Sequence, residues 1–116
     1  MVRIQSHIWV SAILRRAQAA GAFATLLHKG ADAAGAIFVC VNDMAGRNLL
    51  LGPAPQVSYD ADDLERRFQP LLEDADSDQV RDKLDREKSF DPDIWIIEIE
   101  DREMRSFIED ELVVKP

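Results

Sequence analysis

Cysteine occurs once in this chain, as Cys40, so neither an internal disulfide nor a cysteine-based metal site can be built. Long apolar runs are missing. None approaches the ~20 residues that a bilayer-spanning helix needs. The opening Met1-Val2-Arg3-Ile4-Gln5-Ser6-His7 lacks the charged and apolar regions of a secretory signal. Glycine is sparse, five in all, and falls at the ends of patterned segments. No Gly-x-Gly-x-x-Gly, Walker loop, Gly-x-Ser-x-Gly elbow or His-Glu-x-x-His pair occurs. Positive charge is the minority sign, 14 Lys and Arg against 22 Asp and Glu, for a net charge of −8. Such a surface repels phosphate backbones. These absences predict a cytoplasmic protein with no nucleic-acid or membrane partner, no cofactor and no metal.

What is present describes an ordinary soluble chain. Its 116 residues are 47% hydrophobic and 31% charged, which fits one domain over residues 1–116 with one modest core. The charge is unevenly spread. Residues 1–58 hold five basic against two acidic side chains, and residues 59–116 hold nine against twenty, so −8 arises from +3 and −11. That split suits either simple solubility or attraction to a basic partner or a second copy.

Apolar spacing predicts a helix from Ser6 to Ala20, with Trp9, Ile13 and Ala17 on its stripe, Ser6 as N-cap and Gly21 closing its C-terminus. A short strand over Val2–Ser6, with Ser11 as the cap, is the competing reading. Strand-like runs follow at Ala22–His28, Ala36–Asn42 and Arg47–Gly52. Short connections make these three an antiparallel meander. Ala36–Asn42 is apolar on both faces and reads as a central strand. Residues 56–78 admit a helix begun at Asp60, but Pro70 favours an edge strand over Arg67–Leu72. Asp78–Ser89 reads as a charged surface helix with a thin Val80–Leu84 stripe, which Phe90 just beyond would lengthen, and pairs such as Asp82 with Arg86 and Asp78 with Lys83. Asp91-Pro92 stops it. Asp93–Glu100 is the final strand, with Trp95, Ile97 and Ile99 on one face and Ile94, Ile96, Glu98 and Glu100 on the other. One or two helical turns around Met104, Phe107, Ile108 and Leu112 close the chain. The sum is an α+β fold, a mainly antiparallel sheet of four to five strands with two packed helices.

The candidate acidic site is Glu98 with Glu100, followed by Asp101 at the strand exit. Two residues apart on a strand, the glutamates share a face with Cα atoms roughly 6.5–7 Å apart. Paired carboxylates can bind a hard cation or divide acid and base roles. They are equally the wet end of a half-buried strand, paired with Arg66, Arg67, Arg102 or Arg105. His7 and His28 are isolated and read as surface or cap residues. Cys40, inside the most apolar run, reads as core. Trp9 and Trp95 suit a core and are the candidates for an interface.

Two stretches carry a family resemblance. His7-Ile8-Trp9-Val10-Ser11-Ala12-Ile13-Leu14-Arg15-Arg16 with Gly21, and Phe90-Asp91-Pro92-Asp93-Ile94-Trp95 running into Glu98-Ile99-Glu100-Asp101-Arg102, resemble the two ends of a small uncharacterised alphaproteobacterial family, the domain of unknown function numbered 1491. The resemblance implies a small bacterial protein and assigns no catalytic residue. Glu103-Met104 stands where a glycine-bearing turn is expected. The reading that follows is a non-enzymatic interaction or regulatory domain with a protein partner or a homodimeric form. The alternative is a small enzyme or metal- or ligand-binding protein using the carboxylate pair.

Overall fold

Ser6–Ala19 forms the first helix, α1, and it buries Ser6, Val10, Ile13 and Ala17 along one stripe. The computed structural model describes residues 3–55 and 65–115. The N-cap is Gln5, without a side-chain cap bond, rather than Ser6. Ser6 lies one position inside the helix, where its hydroxyl donates to Gly35 O at 2.7 Å. Ser11 caps nothing; it donates back to His7 O within the helix, and residues 3–5 are not a strand. Gly21 stands just past the helix with φ +89°, the left-handed conformation expected of a helix-ending glycine.

Five strands follow: β1 (Phe23–His28), β2 (Ile37–Asn42), β3 (Asn48–Pro53), β4 (Phe68–Ala75) and β5 (Trp95–Glu100). They make one sheet in the order β1-β5-β2-β3-β4. The helix α2 (Ser77–Phe90) joins β4 to β5. Its N-terminus carries a full capping box: Gln79 N donates to Asp76 Oδ1 and Asp76 N donates to Gln79 Oε1. Its ion pairs are Asp78 with Arg81, Lys83 with Glu87 and Asp85 with Lys88. Asp78 thus takes Arg81 in place of the expected Lys83. Phe90 does not extend the buried stripe, being 91% exposed.

The sheet corrects the expected meander. Strands β2, β3 and β4 are antiparallel neighbours, but β1 and β2 do not pair. The last strand, β5, lies between them, antiparallel to β1 and parallel to β2. The physical reason is packing. β5 is apolar along the whole of its α1 face and, at Ile94 and Ile96, on the α2 face at its start, so burying it takes a strand on either side. The β1–β2 connection wraps around its start, where Trp95 N donates to Ala36 O and Ala31 N donates to Asp93 O. A parallel neighbour needs a crossover rather than a tight turn, and α2 supplies one. The strand expected over Arg67–Leu72 is β4, which runs on to Ala75 past Pro70 at the sheet edge. The competing helix from Asp60 falls partly outside the described residues.

Both faces of the sheet are covered. On one, α1 meets Ile37, Val39, Val41, Trp95, Ile97 and Ile99, joined by Phe68 and Ile108. On the other, Val80 and Leu84 of α2 meet Phe38, Cys40, Leu50, Ile94 and Ile96. The expected helical turns in the tail reduce to one 3-10 turn, Asp110–Leu112. Met104 and Phe107 instead adopt left-handed backbone, φ 58° and 63°. The turn expected at Glu103-Met104 is therefore present without its glycine. It returns the tail over the α1 face, where Val113 forms a bridge to Phe68.

Candidate functional site

The two faces of β5 diverge in chemistry at its C-terminal half. Ile97 and Ile99 remain buried against α1, while Glu98 and Glu100 point to the α2 side and are half-buried. Glu98 stands opposite Cys40 on β2 and Thr25 on β1. Between this part of the sheet and α2 lies a cleft of about 250 Å³. Its walls include Leu27 and His28 from β1, Cys40, Leu84 and Lys88, with Glu98 at its base.

Burial first, then the charge of Glu100 and a hydrogen bond with it, pushes the Glu98 carboxyl above the usual glutamate range. Burial, reinforced by Glu98, pushes the Cys40 thiol up to about 12. Cys40 is therefore a protonated hydrophobe at neutral pH rather than a nucleophile. It makes only a weak 3.9 Å contact to Asn48 Oδ1. His28 Nδ1 lies 2.7 Å from the carbonyl of Ile94. A carbonyl only accepts, so Nδ1 is the donor in this contact. The cations on the cleft wall are already engaged, Arg81 with Asp78 and Lys88 with Asp85.

The other candidates lie elsewhere. Asp101 follows Glu100 in sequence but turns away from the glutamates into a cradle formed by Arg105. It accepts from the Arg105 backbone N–H at 2.9 Å, from Nε at 2.8 Å and from Nη2 at 3.0 Å. The Arg105 side chain is the main cause holding its carboxyl below the usual aspartate range. Asp101→Asn is expected to lower the melting temperature. The sign of the pH dependence follows from the depressed value. The Asp101 contribution is present above its unfolded pKa and fades as pH falls through the folded one. Loss of stability on acidification that is equally steep in wild type and Asp101→Asn would sink this assignment. His7 binds Gln5 on the exposed start of α1, far from His28 in the chain. Trp95 is 3% exposed and donates from Nε1 to Ala31 O, while Trp9 packs on Phe68 with ring centroids 5.1 Å apart. Trp95 is thus a core residue, while Trp9 remains partly exposed. Among the described residues, no group of three or more His, Cys, Asp and Glu side chains is placed to hold a metal ion.

A second feature borders the cleft. β1 is an outer strand, and among the described residues only β5 pairs with it. It is largely exposed, with Phe23 at 68%, Leu26 at 41% and Leu27 at 51%. No charged side chain lies between Phe23 and Leu27. The opposite outer strand is different. Val114 N donates to Phe68 O at 2.7 Å, so the tail covers the start of the β4 edge. Sequence reasoning paired this strand with the next in a meander and did not single out its exposed edge. No residue pattern within Ala22–His28 marked it as the exposed strand.

A family model described as protein of unknown function, DUF1491, matches residues 4–109. The chain belongs to the DUF1491 family. Its fold is that of the family members with solved structures. A crystal structure of a DUF1491 family protein from Caulobacter crescentus is 35% identical, with TM-score 0.80, covering 96% of this chain and 97% of that one. The solution structure of protein Atu0922 from A. tumefaciens is 42% identical, with TM-score 0.83, covering 99% and 98%. No curated protein matches. The family thus fixes the fold and carries no assigned function to this chain.

Proposed function

We propose that this DUF1491 domain is a non-enzymatic interaction module of the bacterial cytoplasm that accepts an extended protein segment along β1. The observation that carries this is the open, uncharged and apolar edge of β1, in a sheet whose central strands β5, β2 and β3 are mostly buried and whose other edge, β4, is half-covered and carries charge. Such an edge offers unpaired backbone groups for strand addition, and native chains usually blunt it with lysine, proline or a bulge. Here the bulge, between Leu26 and His28, and Lys29 come only at the strand's end. Capture from alphaproteobacterial lysate by wild type and by the Phe23→Lys/Leu27→Lys variant tests the proposal. Both positions are exposed, so the variant should fold normally. A stoichiometric partner lost in the variant supports strand addition at β1. Equal capture by both proteins overturns it.

The cleft beside β1 supports a second reading, a small-ligand site that uses Glu98. Its carboxylate is half-buried, and its nearest acidic neighbour is Glu100. A bound cation should raise the melting temperature, and Mg²⁺, Mn²⁺, Ca²⁺ and Zn²⁺ are the first to screen. No shift with any of them ends the metal version. Without a ligand, Glu98→Gln is expected to stabilise the protein at neutral pH, by under about 1 kcal/mol given the partial exposure. A raised carboxyl pKa stabilises the fold only while the group holds its proton. That contribution is complete below the unfolded pKa and is lost as pH rises through the folded one. The advantage of Glu98→Gln should therefore shrink on acidification, as thermal melts across pH would show.

A further inference from the structure

We propose that the segment added to β1 is β1 of a second copy of this chain, running antiparallel, so that two five-stranded sheets join into one. This rests on the strand-addition reading above and names its partner. In the joined sheet Thr25 faces the partner's Thr25, and Phe23 faces the partner's Leu27.

Three observations converge on a second copy. The first is side-chain pattern. Phe23 and Thr25 stand opposite Glu100 and Glu98, and so on the α2 face of the sheet, where Leu27 lines the cleft. A two-fold axis at Thr25 lays Phe23, 68% exposed, against the partner's Leu27, itself 51% exposed. An apolar pair then forms on each side of a threonine pair.

The second is charge. β1 ends in His28-Lys29, whereas its beginning lies beside the Glu98–Glu100 end of β5. Antiparallel pairing brings the basic end of each copy to the acidic end of the other. Two strand spacings, roughly 10 Å, separate the joining strand from β5, a span that a lysine and a glutamate reach across together. A parallel pairing would instead set like ends side by side.

The third is closure. The other outer strand, β4, is covered at its start by the tail through Phe68 and Val113–Val114. An isologous β1–β1 contact uses up the open edge in both copies, so assembly stops at two. One bond must yield. Gln18 Nε2 donates to the carbonyl of Ala24 at 3.2 Å, an exposed contact that the second strand displaces.

A ladder this short buries less than the ~800 Å² per partner of a standard stable interface. The dimer is therefore weak, with a dissociation constant in the micromolar range. Sedimentation velocity of the whole chain from low micromolar to millimolar concentration reads it directly. Phe23→Lys/Leu27→Lys places lysine opposite lysine twice and should weaken the dimer about tenfold or more. Phe23→Lys/Leu27→Glu places lysine opposite glutamate twice and should restore most of that loss, which a foreign partner strand has no reason to do. A wild type that is monomeric at millimolar concentration overturns the second copy. If it still captures a lysate partner that Phe23→Lys/Leu27→Lys loses, the strand-addition reading survives. If capture is also unchanged, both fall. A dimer indifferent to both double variants overturns the β1 contact.

Discussion

Gly30→Ala is expected to cost about 3 kcal/mol or more, a large share of the roughly 5–15 kcal/mol that holds a domain of this size together. A Cβ on Gly30 would stand 2.2 Å from Asp93 O and 2.6 Å from Ile94 C. These are backbone atoms at the start of β5, so no side-chain rotation relieves the clash. The β1–β2 connection passes directly over the point where β5 enters the sheet, and only a residue without a side chain fits there. Gly35→Ala should behave alike, since its Cβ would lie 2.4 Å from the same carbonyl and 2.9 Å from Trp95 Cδ1. Gly46→Ala is the control. Its surroundings are open and only φ +102° opposes alanine, so about 1 kcal/mol is expected. Urea unfolding midpoints of the three variants decide the matter. A Gly30→Ala protein as stable as Gly46→Ala would mean that β5 does not thread beneath this connection.

Ile97→Ala is expected to be as damaging, at about 3–5 kcal/mol. Ile97 has no exposed surface and lies between Leu26 on β1 and Val39 on β2, facing α1. Truncation removes buried methyl groups and leaves a cavity at the centre of a sheet braced from both sides. Little backbone relaxation can collapse it. Phe90→Ala deletes a larger side chain but should shift stability by less than about 0.5 kcal/mol, because Phe90 is 91% exposed at the end of α2. Thermal unfolding of the pair separates the two positions. Similar losses from both would contradict the burial that the fold assigns them.

The acidic candidates show why spacing alone cannot define a site. Glu98, Glu100 and Asp101 are nearly consecutive, and a strand period of two does put the glutamates on one face. It says nothing of what occupies the space above that face. The cleft under α2 depends on a helix whose charged surface reveals no docking angle. The fate of Asp101 depends on Arg105, four residues on, across a turn in which Met104 takes a left-handed conformation without glycine. The edge is the clearer case. Phe23 and Leu27 look like core residues in the sequence, yet the structure leaves them 68% and 51% exposed.

What the sequence determined by itself was local. The periodicity of α1, the Asp91-Pro92 stop of α2, the double-faced apolarity of Ala36–Asn42 and the α+β class were all readable, because each follows from chain geometry over a few residues. Tertiary structure alone decided the strand order. It set β5 between β1 and β2, antiparallel to one and parallel to the other. A short connection between two strands permits pairing, but burial of Trp95, Ile96, Ile97 and Ile99 between two neighbouring strands is worth more than one local hairpin. That competition is settled among residues some seventy positions apart, where no pattern within the chain records the winner.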